Sequence, residues 1–492
     1  MDKSLNFKNY ILDNIHGFIG LTDIENRIER LDIFQRLRRI KQLGLTNWIF
    51  PGAEHTRYTH SLGVMHIIDQ MAMKLGFEDE ERQILRLAGM LHDIGHYPLS
   101  HIGEYAYMSS PVDRDFFHDN SSKIKTSVQK LPDFNPLLSV QMVKSPKPFH
   151  HENIGVLVIK HSSKIRAIIE ERFPEKGNEV VEDICDIITG HLERKPGLSA
   201  QVQLLHSELD ADRIDYLLRD AASSGASYGN FELAALIKCL ARKEHTPSGL
   251  QIVGVNSKGI GVADQFMISR FMAYSQIIYQ KHVAILQLMG QEVINWVANS
   301  ALKIFPKPIE LLEWVKTHEE NPYFQDFTDQ VLLGLSSKLA ENHCLGEERL
   351  KFVNKLDHFK ALEQIGSAFE FVGKNRALIT ETVVNEPIYH NLTHGEYLRE
   401  NNRVGVFSSA TITEHIPKNE FVNFYNNHQK NNDEMIPLDD YLVQRLQHGI
   451  AYIPDNSEPE LLVDQPNSMI KDFSLYTRVI LREYSLPNGP ID

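Results

Sequence analysis

The stretch LAGMLHDIGHYPLSH, residues 87–101, places a histidine–aspartate pair directly after an apolar segment. The apolar segment extends back from residue 87 to acidic residues near position 80. Its pattern predicts a helix over residues 80–93. His92 and Asp93 close this helix. Imidazole nitrogens and carboxylate oxygens suit borderline or hard divalent ions. The stretch therefore predicts one part of a metal site at the end of a helix.

Two residues outside this stretch complete a candidate metal set. Six histidines lie between positions 55 and 101, and His60 opens a predicted helix over residues 60–76. Asp212 lies downstream on a further helical pattern. A lone histidine or a lone His-Asp pair is a weak signal, but the set His60, His92, Asp93 and Asp212 has the character of a site for Fe, Mn, Zn or Mg. Four protein ligands leave positions on an octahedral ion open for water and a phosphate oxygen.

Hydrophobic periodicity predicts a mainly α domain over residues 1–305, followed by a smaller mixed α+β region over residues 306–492. Helical patterns cover residues 31–44, 60–76, 80–93, 153–171, 178–191, 204–222 and 264–302. Residues 109–150 are rich in Ser, Pro, Asp and Lys and are predicted as an insertion in the first domain. Enrichment in Val, Ile and Thr predicts strands over residues 376–388 and 402–413.

The composition narrows the class of protein. The chain has 492 residues, 42% hydrophobic and 24% charged, which is a globular balance in a length that favours two or three lobes. The net charge of −14 disfavours non-specific nucleic-acid binding. Three widely separated cysteines indicate neither a zinc ribbon nor a disulfide framework, which fits the cytoplasm. We find no apolar run of about 18 residues and no signal peptide, so no membrane span is expected.

Blocks of sequence in a fixed order resemble the HD-domain superfamily. They are FPGAEHTRYTHSLGV at 50–64, LAGMLHDIGHYPLSH at 87–101, HHE at 150–152 and ELDADRIDYLLRD at 208–220. With IHGFIG at 15–20 and FQRLRRIKQLG at 34–44, they look like the deoxynucleoside triphosphate triphosphohydrolases, in the branch of the sterile-alpha-motif/HD protein and its bacterial relatives. The resemblance covers residues 13–290 and implies an HD-type helical core with the same four metal ligands. The sterile alpha motif itself is not expected, because the HD region starts almost at residue 1.

The resemblance also implies which residues handle the phosphates. Arg57 and Arg213 match phosphate-binding positions, although Arg213 replaces a lysine of the family. His96 and His101 match histidines that face the phosphates, and His151 matches the family's second catalytic histidine. Since histidine titrates near working pH, His151 or His101 is the expected acid for the leaving group.

A second group of residues is implied for the sugar. Gln42 and Leu43 match residues beside it. Tyr216 and Asp220 share one face of a helix with the metal ligand Asp212, at four-residue steps. The resemblance gives Tyr216 the exclusion of a ribose 2′-hydroxyl and Asp220 the 3′-hydroxyl. Asp215 is expected to face away and to form a structural ion pair.

The reaction implied by the resemblance is hydrolysis of a deoxynucleoside triphosphate to deoxynucleoside and inorganic triphosphate. Arg270, Tyr274 and Lys281 resemble a cluster that closes the site over the substrate. An additional Mg²⁺ is expected with the triphosphate, and a homo-oligomer, dimer or tetramer, is the family expectation.

A nucleotide effector is the least defined expectation. Some relatives hold a guanine nucleotide through an aspartate, a glutamine and an arginine. Gln35 and Arg38 are present, but an ungapped count from the FQRLR block places Arg30 at the acidic position, with Asp32 out of register. The sequence therefore argues against a guanine-reading site, while the basic face of residues 27–41 could hold a phosphate.

Two alternative functions stay open. The first is a phosphodiesterase, nuclease or nucleotidase on the same scaffold, for which the basic face of residues 27–41 would favour single-stranded nucleic acid. The second is a nucleotide-sensing module without turnover. The intact metal set favours an enzyme over the second alternative.

Overall fold

The computed structural model describes residues 5–108, 149–299, 305–333 and 438–471, four strands between positions 378 and 485, and residues 418, 419, 422 and 426. Apart from its last two positions, the insertion predicted over residues 109–150 lies outside the described residues. Within the described part of the chain, no helix is both long and apolar enough to cross a membrane.

Helices dominate the described residues, and this confirms the prediction of a mainly α protein. The helices are Asp23–Glu29, Asp32–Gln35, Arg57–Lys74, Asp79–Leu91, His101–Met108, His151–His161, Ser163–Arg172, Gly177–Thr189, Ser199–Gln203, Ala211–Ser224, Leu233–Cys239, Ile260–Ala273, Lys281–Asn299, Pro308–Lys316 and Leu438–His448.

The described strands form three small sheets. The first is the hairpin Asn9–Asp13 with Gly17–Leu21, and the second has the order Leu240–His245, Leu250–Val255, Ala451–Tyr452, Glu460–Leu461. The third is antiparallel in the order Leu378–Pro387, Tyr476–Ser485, Arg403–Thr411, Tyr397–Glu400. The strands predicted over residues 376–388 and 402–413 are present, whereas the sequence did not indicate the hairpins near residues 9–21 and 240–255.

Packing around the helix Arg57–Lys74 brings the predicted ligands together. This helix contacts both Asp79–Leu91 and Ala211–Ser224 along its length. Ile67 and Ile68 on this helix are fully buried, and each contributes roughly 1.5–3 kcal/mol through burial. Because His60 lies near the start of one helix and Asp212 near the start of another, the packing places both beside the end of Asp79–Leu91.

The region just after residue 305 shares the core of the first domain. Phe324 and Phe327 belong to the same buried cluster as the HD helices. The fully buried Arg36 donates hydrogen bonds to the backbone oxygens of Phe327 (2.9 Å), Ile94 (2.9 Å) and His96 (2.8 Å). Residues 305–333 therefore support the loop that follows the HD pair, and the division at residue 305 stays a prediction.

Three predicted helices are interrupted in the structure, and a fourth, expected over residues 204–222, begins only at Ala211. The helix expected over residues 153–171 is divided at Ser162 into His151–His161 and Ser163–Arg172. The helix expected over residues 31–44 ends after Asp32–Gln35 and the 3-10 turn Arg36–Arg39, because Arg36 turns inward to its three carbonyl partners and Ile40 is extended. The long helical region expected over residues 264–302 is divided by a π-helical turn, Tyr274–Ile278. That turn lies where the sequence predicted a substrate-closing tyrosine.

Candidate metal and phosphate site

The four predicted metal ligands converge on one point. The Nε2 atom of His60 lies 2.9 Å from Asp212 Oδ1 and 3.8 Å from Asp93 Oδ2, and the Nε2 atom of His92 lies 3.4 Å from Asp93 Oδ1 and 3.8 Å from Asp212 Oδ1. His60, His92 and Asp93 are buried, while the side chain of Asp212 keeps 33% of its exposure. The site therefore opens to solvent on the side of Asp212.

Contacts behind the two imidazoles direct their Nε2 atoms into the site. His60 Nδ1 lies 2.7 Å from Asp215 Oδ2, and His92 Nδ1 lies 2.8 Å from the backbone oxygen of Gly89. With Nδ1–H donating to these oxygens, each Nε2 presents a lone pair. Among the described residues, neither Nε2 atom has a hydrogen-bond partner, although both are buried. Unpaired buried nitrogens beside two carboxylates fit a divalent cation.

The charges of the site suit a cation. Burial disfavours the ionised form of Asp93, but the Arg57 guanidinium and the neighbouring imidazoles hold the pKa of Asp93 well below its usual range. Burial likewise opposes ionisation of Asp212, and His60 more than offsets it, so the pKa of Asp212 is also lowered. In the metal-free protein the carboxylates of Asp212 and Asp215 overcome burial and raise the pKa of His60 to about 10, so metal binding releases a proton there.

A second set of histidines lies beside the first. The rings of His96 and His151 stack with centroids 4.3 Å apart, and the ring of His101 meets both at 5.0 and 5.5 Å. These three histidines also have ligand atoms close enough to hold a metal ion. Asp93 Oδ1 lies 3.8 Å from His96 Nε2 and 3.9 Å from His151 Nε2, so Asp93 stands between the two sets.

Glu104 organises this second set. Its carboxylate accepts the backbone N–H of His151 at 2.8 Å and thereby caps the helix His151–His161. The same carboxylate lies 2.9 Å from His151 Nδ1 and 2.8 Å from His101 Nδ1. Burial alone would lower the pKa of His151, but Glu104 overcomes it and raises that pKa to about 9. By contrast, the pKa of His96 is lowered by burial and by the nearby cations, so His96 is neutral.

Two glycines, Gly95 and Gly155, allow the backbone near His151 to pack directly on the loop that follows His92 and Asp93. A Cβ at Gly95 would lie 2.2 Å from the backbone nitrogen of Gly155 and 2.3 Å from the backbone oxygen of His151. The helix His151–His161 therefore crosses the loop in direct backbone contact.

The Gly95→Ala variant is expected to lose about 3 kcal/mol of unfolding free energy, because the backbone of His151–His161 must shift to admit the methyl group. Urea denaturation measures the loss. Gly261→Ala is the matched control, since its Cβ meets nothing within 4 Å. Equal stability of the two variants would contradict the close crossing.

Arg57 lies against Asp93 in the centre of the site. Its Nη1 donates to Asp93 Oδ2 at 2.8 Å and its Nε to Ser100 Oγ at 2.9 Å. Ser100 and Leu99 have left-handed backbone conformations, and Asp329 holds this turn through the Leu99 N–H at 2.6 Å. The predicted phosphate-binding arginine is thus fixed next to the metal ligands.

The residues predicted to contact the sugar form a neighbouring wall. The hydroxyl oxygens of Tyr216 and Tyr274 are 3.3 Å apart, and Asp220 Oδ1 lies 2.8 Å from His55 Nε2. Gln42 is buried and its backbone N–H donates to the oxygen of His55 at 3.0 Å, which places Gln42 near Asp220. Leu43 follows it and is half-buried.

The remaining basic side chains that were predicted to contact the substrate lie at the edge of the site. Arg213 pairs with Asp210 and lies 3.7 Å from Glu208, and Arg270 also pairs with Glu208. One carboxylate thus joins two arginines predicted to bind phosphate. Lys281 is exposed at the start of the helix Lys281–Asn299, and its role stays a prediction.

Sequence reasoning missed two residues of the site. Glu104 orients two histidines, and its place three residues after His101 on a helix was a usable signal. Asp215 forms the expected ion pair, with Arg219, but it does not face away from the site, because the same carboxylate holds His60.

The carboxylate of Glu29 lies beside Gln35 and Arg38. Glu29 Oε1 accepts the side-chain N–H of Gln35 at 2.7 Å and the hydroxyl of Tyr58 at 2.6 Å, and it lies 3.4 Å from Arg38 Nη2. Glu29 thus offers a carboxylate to Gln35 and Arg38 directly beside Arg30, the residue that the ungapped count places at the acidic position. A nucleotide effector stays a prediction.

Residues 57–220 match the family model of the HD domain, a span that begins at Arg57, ends at Asp220 and contains all four ligands. The chain therefore contains an HD domain over these residues. Its relatives within that class include deoxynucleoside triphosphate triphosphohydrolases, which confirms the resemblance predicted from the sequence.

The human deoxynucleoside triphosphate triphosphohydrolase SAMHD1 is 31% identical over 237 residues, which cover 46% of this chain and 35% of SAMHD1. The uncharacterized protein YwfO of Bacillus subtilis is 30% identical over 276 residues, 54% of this chain and 51% of YwfO. The chain thus spans about half the length of the curated relatives it matches most strongly.

Solved structures show a similar fold over nearly the whole chain. A hypothetical protein from Aquifex aeolicus aligns with a TM-score of 0.56 at 20% identity, covering 97% of this chain and 96% of the other. A phosphohydrolase from Bacteroides thetaiotaomicron gives 0.55 at 20% identity, with 97% and 99% covered. At this identity the likeness concerns the fold alone.

Proposed function

We propose that this HD-domain hydrolase converts deoxynucleoside triphosphates and water to deoxynucleosides and inorganic triphosphate. The observation that carries the proposal is one helix, Ala211–Ser224, which brings the metal ligand Asp212 together with Tyr216 and Asp220. A phosphate at the metal would have its sugar against that helix face. The relation to the triphosphohydrolases named above supports the same substrate class.

The metal site would hold the cation through His60, His92, Asp93 and Asp212, and a cation bound there activates water and polarises a phosphate oxygen. Arg57, fixed beside Asp93, is proposed to neutralise the charge that builds up on the α-phosphate. Arg213 and Arg270, now paired with carboxylates, are proposed to neutralise the outer phosphates. An additional Mg²⁺ is proposed to accompany the triphosphate.

The leaving 5′-oxygen needs a proton, and we propose that His151 donates it rather than His101. Glu104 keeps the imidazole of His151 protonated at neutral pH and fixes its orientation through Nδ1. His101 shares the same carboxylate but is exposed, and we propose that it contacts the phosphates together with His96. Because Nε2 of His151 lies 3.9 Å from Asp93 Oδ1, we propose that its proton is donated to a substrate bound at the metal site.

Discrimination against ribonucleotides is proposed to depend on the aromatic wall. Replacing Tyr216 with alanine is expected to raise kcat/KM for GTP relative to dGTP by about tenfold, since the ring that excludes the 2′-hydroxyl is removed. Steady-state assays with the four dNTPs and NTPs measure the ratio. Tyr323→Ala, at an exposed tyrosine that packs on Trp314 outside the wall, is the control. An unchanged ratio would show that Tyr216 does not select the sugar.

Product analysis tests the function itself. The metal-loaded protein is incubated with each dNTP in ¹⁸O-water, and products are separated by anion exchange. We expect deoxynucleoside and triphosphate, with the label in the triphosphate, because attack at the α-phosphorus breaks the bond to the 5′-oxygen. Release of deoxynucleoside monophosphate, or label in the nucleoside, would refute the proposal.

One observation favours a second candidate, a phosphodiesterase or nuclease that uses two metals. His96, His101 and His151 could hold a second ion, with Asp93 between the two sets. Arg57 weighs against this candidate, because its guanidinium already occupies Asp93. Two equivalents of metal per chain, with hydrolysis of bis(p-nitrophenyl) phosphate or single-stranded DNA but not of dNTPs, would favour it.

Three broader expectations are also carried forward as proposals. The chain is proposed to act in the cytoplasm, to form a homodimer or tetramer, and to respond to a nucleotide effector. For the effector, Glu29, Gln35 and Arg38 offer a carboxylate, an amide and a guanidinium around the ring of Tyr58.

A further inference from the structure

The N-terminal hairpin reaches the metal site from behind. Its strands, Asn9–Asp13 and Gly17–Leu21, meet in a turn where Asp13 Oδ1 accepts the backbone N–H groups of Ile15 (2.9 Å) and His16 (3.0 Å). Gly17 completes the turn with φ +70°, a conformation that favours glycine. The turn directs the side chain of His16 inward, where only 3% of it is exposed.

One buried carboxylate connects this turn to a metal ligand. His16 Nε2 lies 2.6 Å from Asp215 Oδ1, and His60 Nδ1 lies 2.7 Å from Asp215 Oδ2. Both imidazoles therefore donate to the same fully buried group. The chain of contacts runs from the hairpin through Asp215 to the ring whose other nitrogen faces the metal.

Arg219 closes these contacts into a ring. It donates to Asp215 through Nε (2.8 Å) and Nη2 (3.0 Å), and to Asp13 through Nη1 (2.8 Å). Since Arg219 and Asp215 lie on the helix that also carries Asp212, the ring ties the hairpin to two metal ligands at once. A Cβ at Gly63 would lie 1.9 Å from Asp215 Oδ1, so the helix Arg57–Lys74 also depends on this placement.

The ring has two consequences for a cation. Asp13, Asp215 and Arg219 together carry one excess negative charge, and they are buried behind the Nδ1 side of His60. This charge favours binding of a divalent cation at Nε2 of His60. The carboxylate plane of Asp215 also sets the direction of the His60 ring. Without the N–H of His16, one buried oxygen of Asp215 would lose a donor, and the carboxylate could rotate towards another partner.

We propose that His16 is a positioning residue of the metal centre, which holds Asp215 so that His60 presents Nε2 to the ion. The N-terminal hairpin is therefore part of the metal site, although none of its residues reaches the metal. This inference rests on the metal site and is independent of the substrate.

Metal affinity tests the inference without any assay of turnover. The full-length protein is stripped of metal, and its dissociation constant for Mn²⁺ is measured from the electron paramagnetic resonance signal of free Mn²⁺. His16→Leu removes the donor, and His16→Asn has an amide too short to reach Asp215. Each is expected to raise the dissociation constant about tenfold. His16→Gln, whose amide reaches the position of Nε2, is expected to stay within about threefold of the wild type.

The control separates a positioning role from a structural one. His66→Leu removes the neighbouring imidazole, whose ring centroid is 5.5 Å from that of His16, and should leave the Mn²⁺ affinity unchanged. Thermal unfolding in chelator shows whether each variant folds, and if His16→Leu does not, His16→Asn carries the test. Wild-type affinity in either folded variant, or affinity in His16→Gln as weak as in His16→Leu, would overturn the inference.

Discussion

Replacing His92 with leucine is expected to remove the bound cation and to lower dNTP hydrolysis by at least about a thousandfold. The Nε2 atom of His92 is buried, has no other hydrogen-bond partner among the described residues and faces two carboxylates. Leucine fills a similar volume and offers no ligand atom. With only three ligands, Asp93 and Asp212 would face each other with less positive charge between them.

Metal analysis after gel filtration and product assays at saturating dNTP measure both effects. His66→Leu is the matched control, because it removes an imidazole from the neighbouring helix Arg57–Lys74 without touching the ligand set. The control should retain wild-type metal content and turnover. A His92→Leu protein that keeps one equivalent of metal and full activity would disprove the assigned centre.

The sequence predicted the four residues of this centre from their chemistry and from the blocks that resemble the HD superfamily. His60 and Asp212 lie near the starts of their helices, and His92 and Asp93 directly follow the helix Asp79–Leu91. The structure brings all four ligands together as expected. The face shared by Asp212, Tyr216 and Asp220 follows from their helical spacing, and their partners His60, Tyr274 and His55 lie on it.

What could not be predicted depends on contacts between residues far apart in the chain. Asp215 contacts His16, 199 positions away, and no periodic pattern encodes such a pair. Arg36 looked like part of a basic helix face, yet it is buried, and three backbone oxygens accept hydrogen bonds from its Nη1 and Nη2 atoms. The helix prediction over residues 31–44 failed for this reason: a tertiary contact overrode local propensity.

The loop that follows His92 and Asp93 contains a turn that the sequence did not predict. Leu99 and Ser100 both adopt φ of 57°, a conformation that no glycine signals at these positions. Asp329, far along the chain, stabilises the turn by accepting the Leu99 N–H, and Ser100 then contacts Arg57. Burial raises the pKa of Asp329 to about 6, so this support weakens as the carboxyl becomes protonated below that pH. Because Asp329 and Leu99 are 230 positions apart, their contact could not be predicted from the sequence.

The alkaline limit of activity is expected to depend on Glu104. The pKa of His151 is about 9 because the adjacent carboxylate outweighs burial, so the imidazolium is present below pH 9 and is lost as the pH rises through that value. In Glu104→Gln the charge is gone, while the amide oxygen can still accept the His151 backbone N–H that starts the helix. The pKa should then return to 6.5 or below.

For a pKa of 6.5, the protonated fraction of His151 at pH 8 would fall from about nine-tenths to about three hundredths. We therefore expect kcat at pH 8 to fall about thirtyfold, with the alkaline limb of the pH–rate profile shifted down by about 2.5 pH units. His151→Gln, which cannot donate as an acid, should lose about 10²–10⁴-fold and show no such limb.

Profiles of kcat from pH 5.5 to 10 distinguish this account from a general loss of structure. Glu80→Gln, at an exposed ion pair with Lys176, is the control and should keep the wild-type profile. If Glu104→Gln lowered kcat equally at every pH, Glu104 would support the fold without tuning His151. If His151→Gln kept the alkaline limb, another group, with His101 the nearest candidate, would donate the proton, because it shares the same carboxylate.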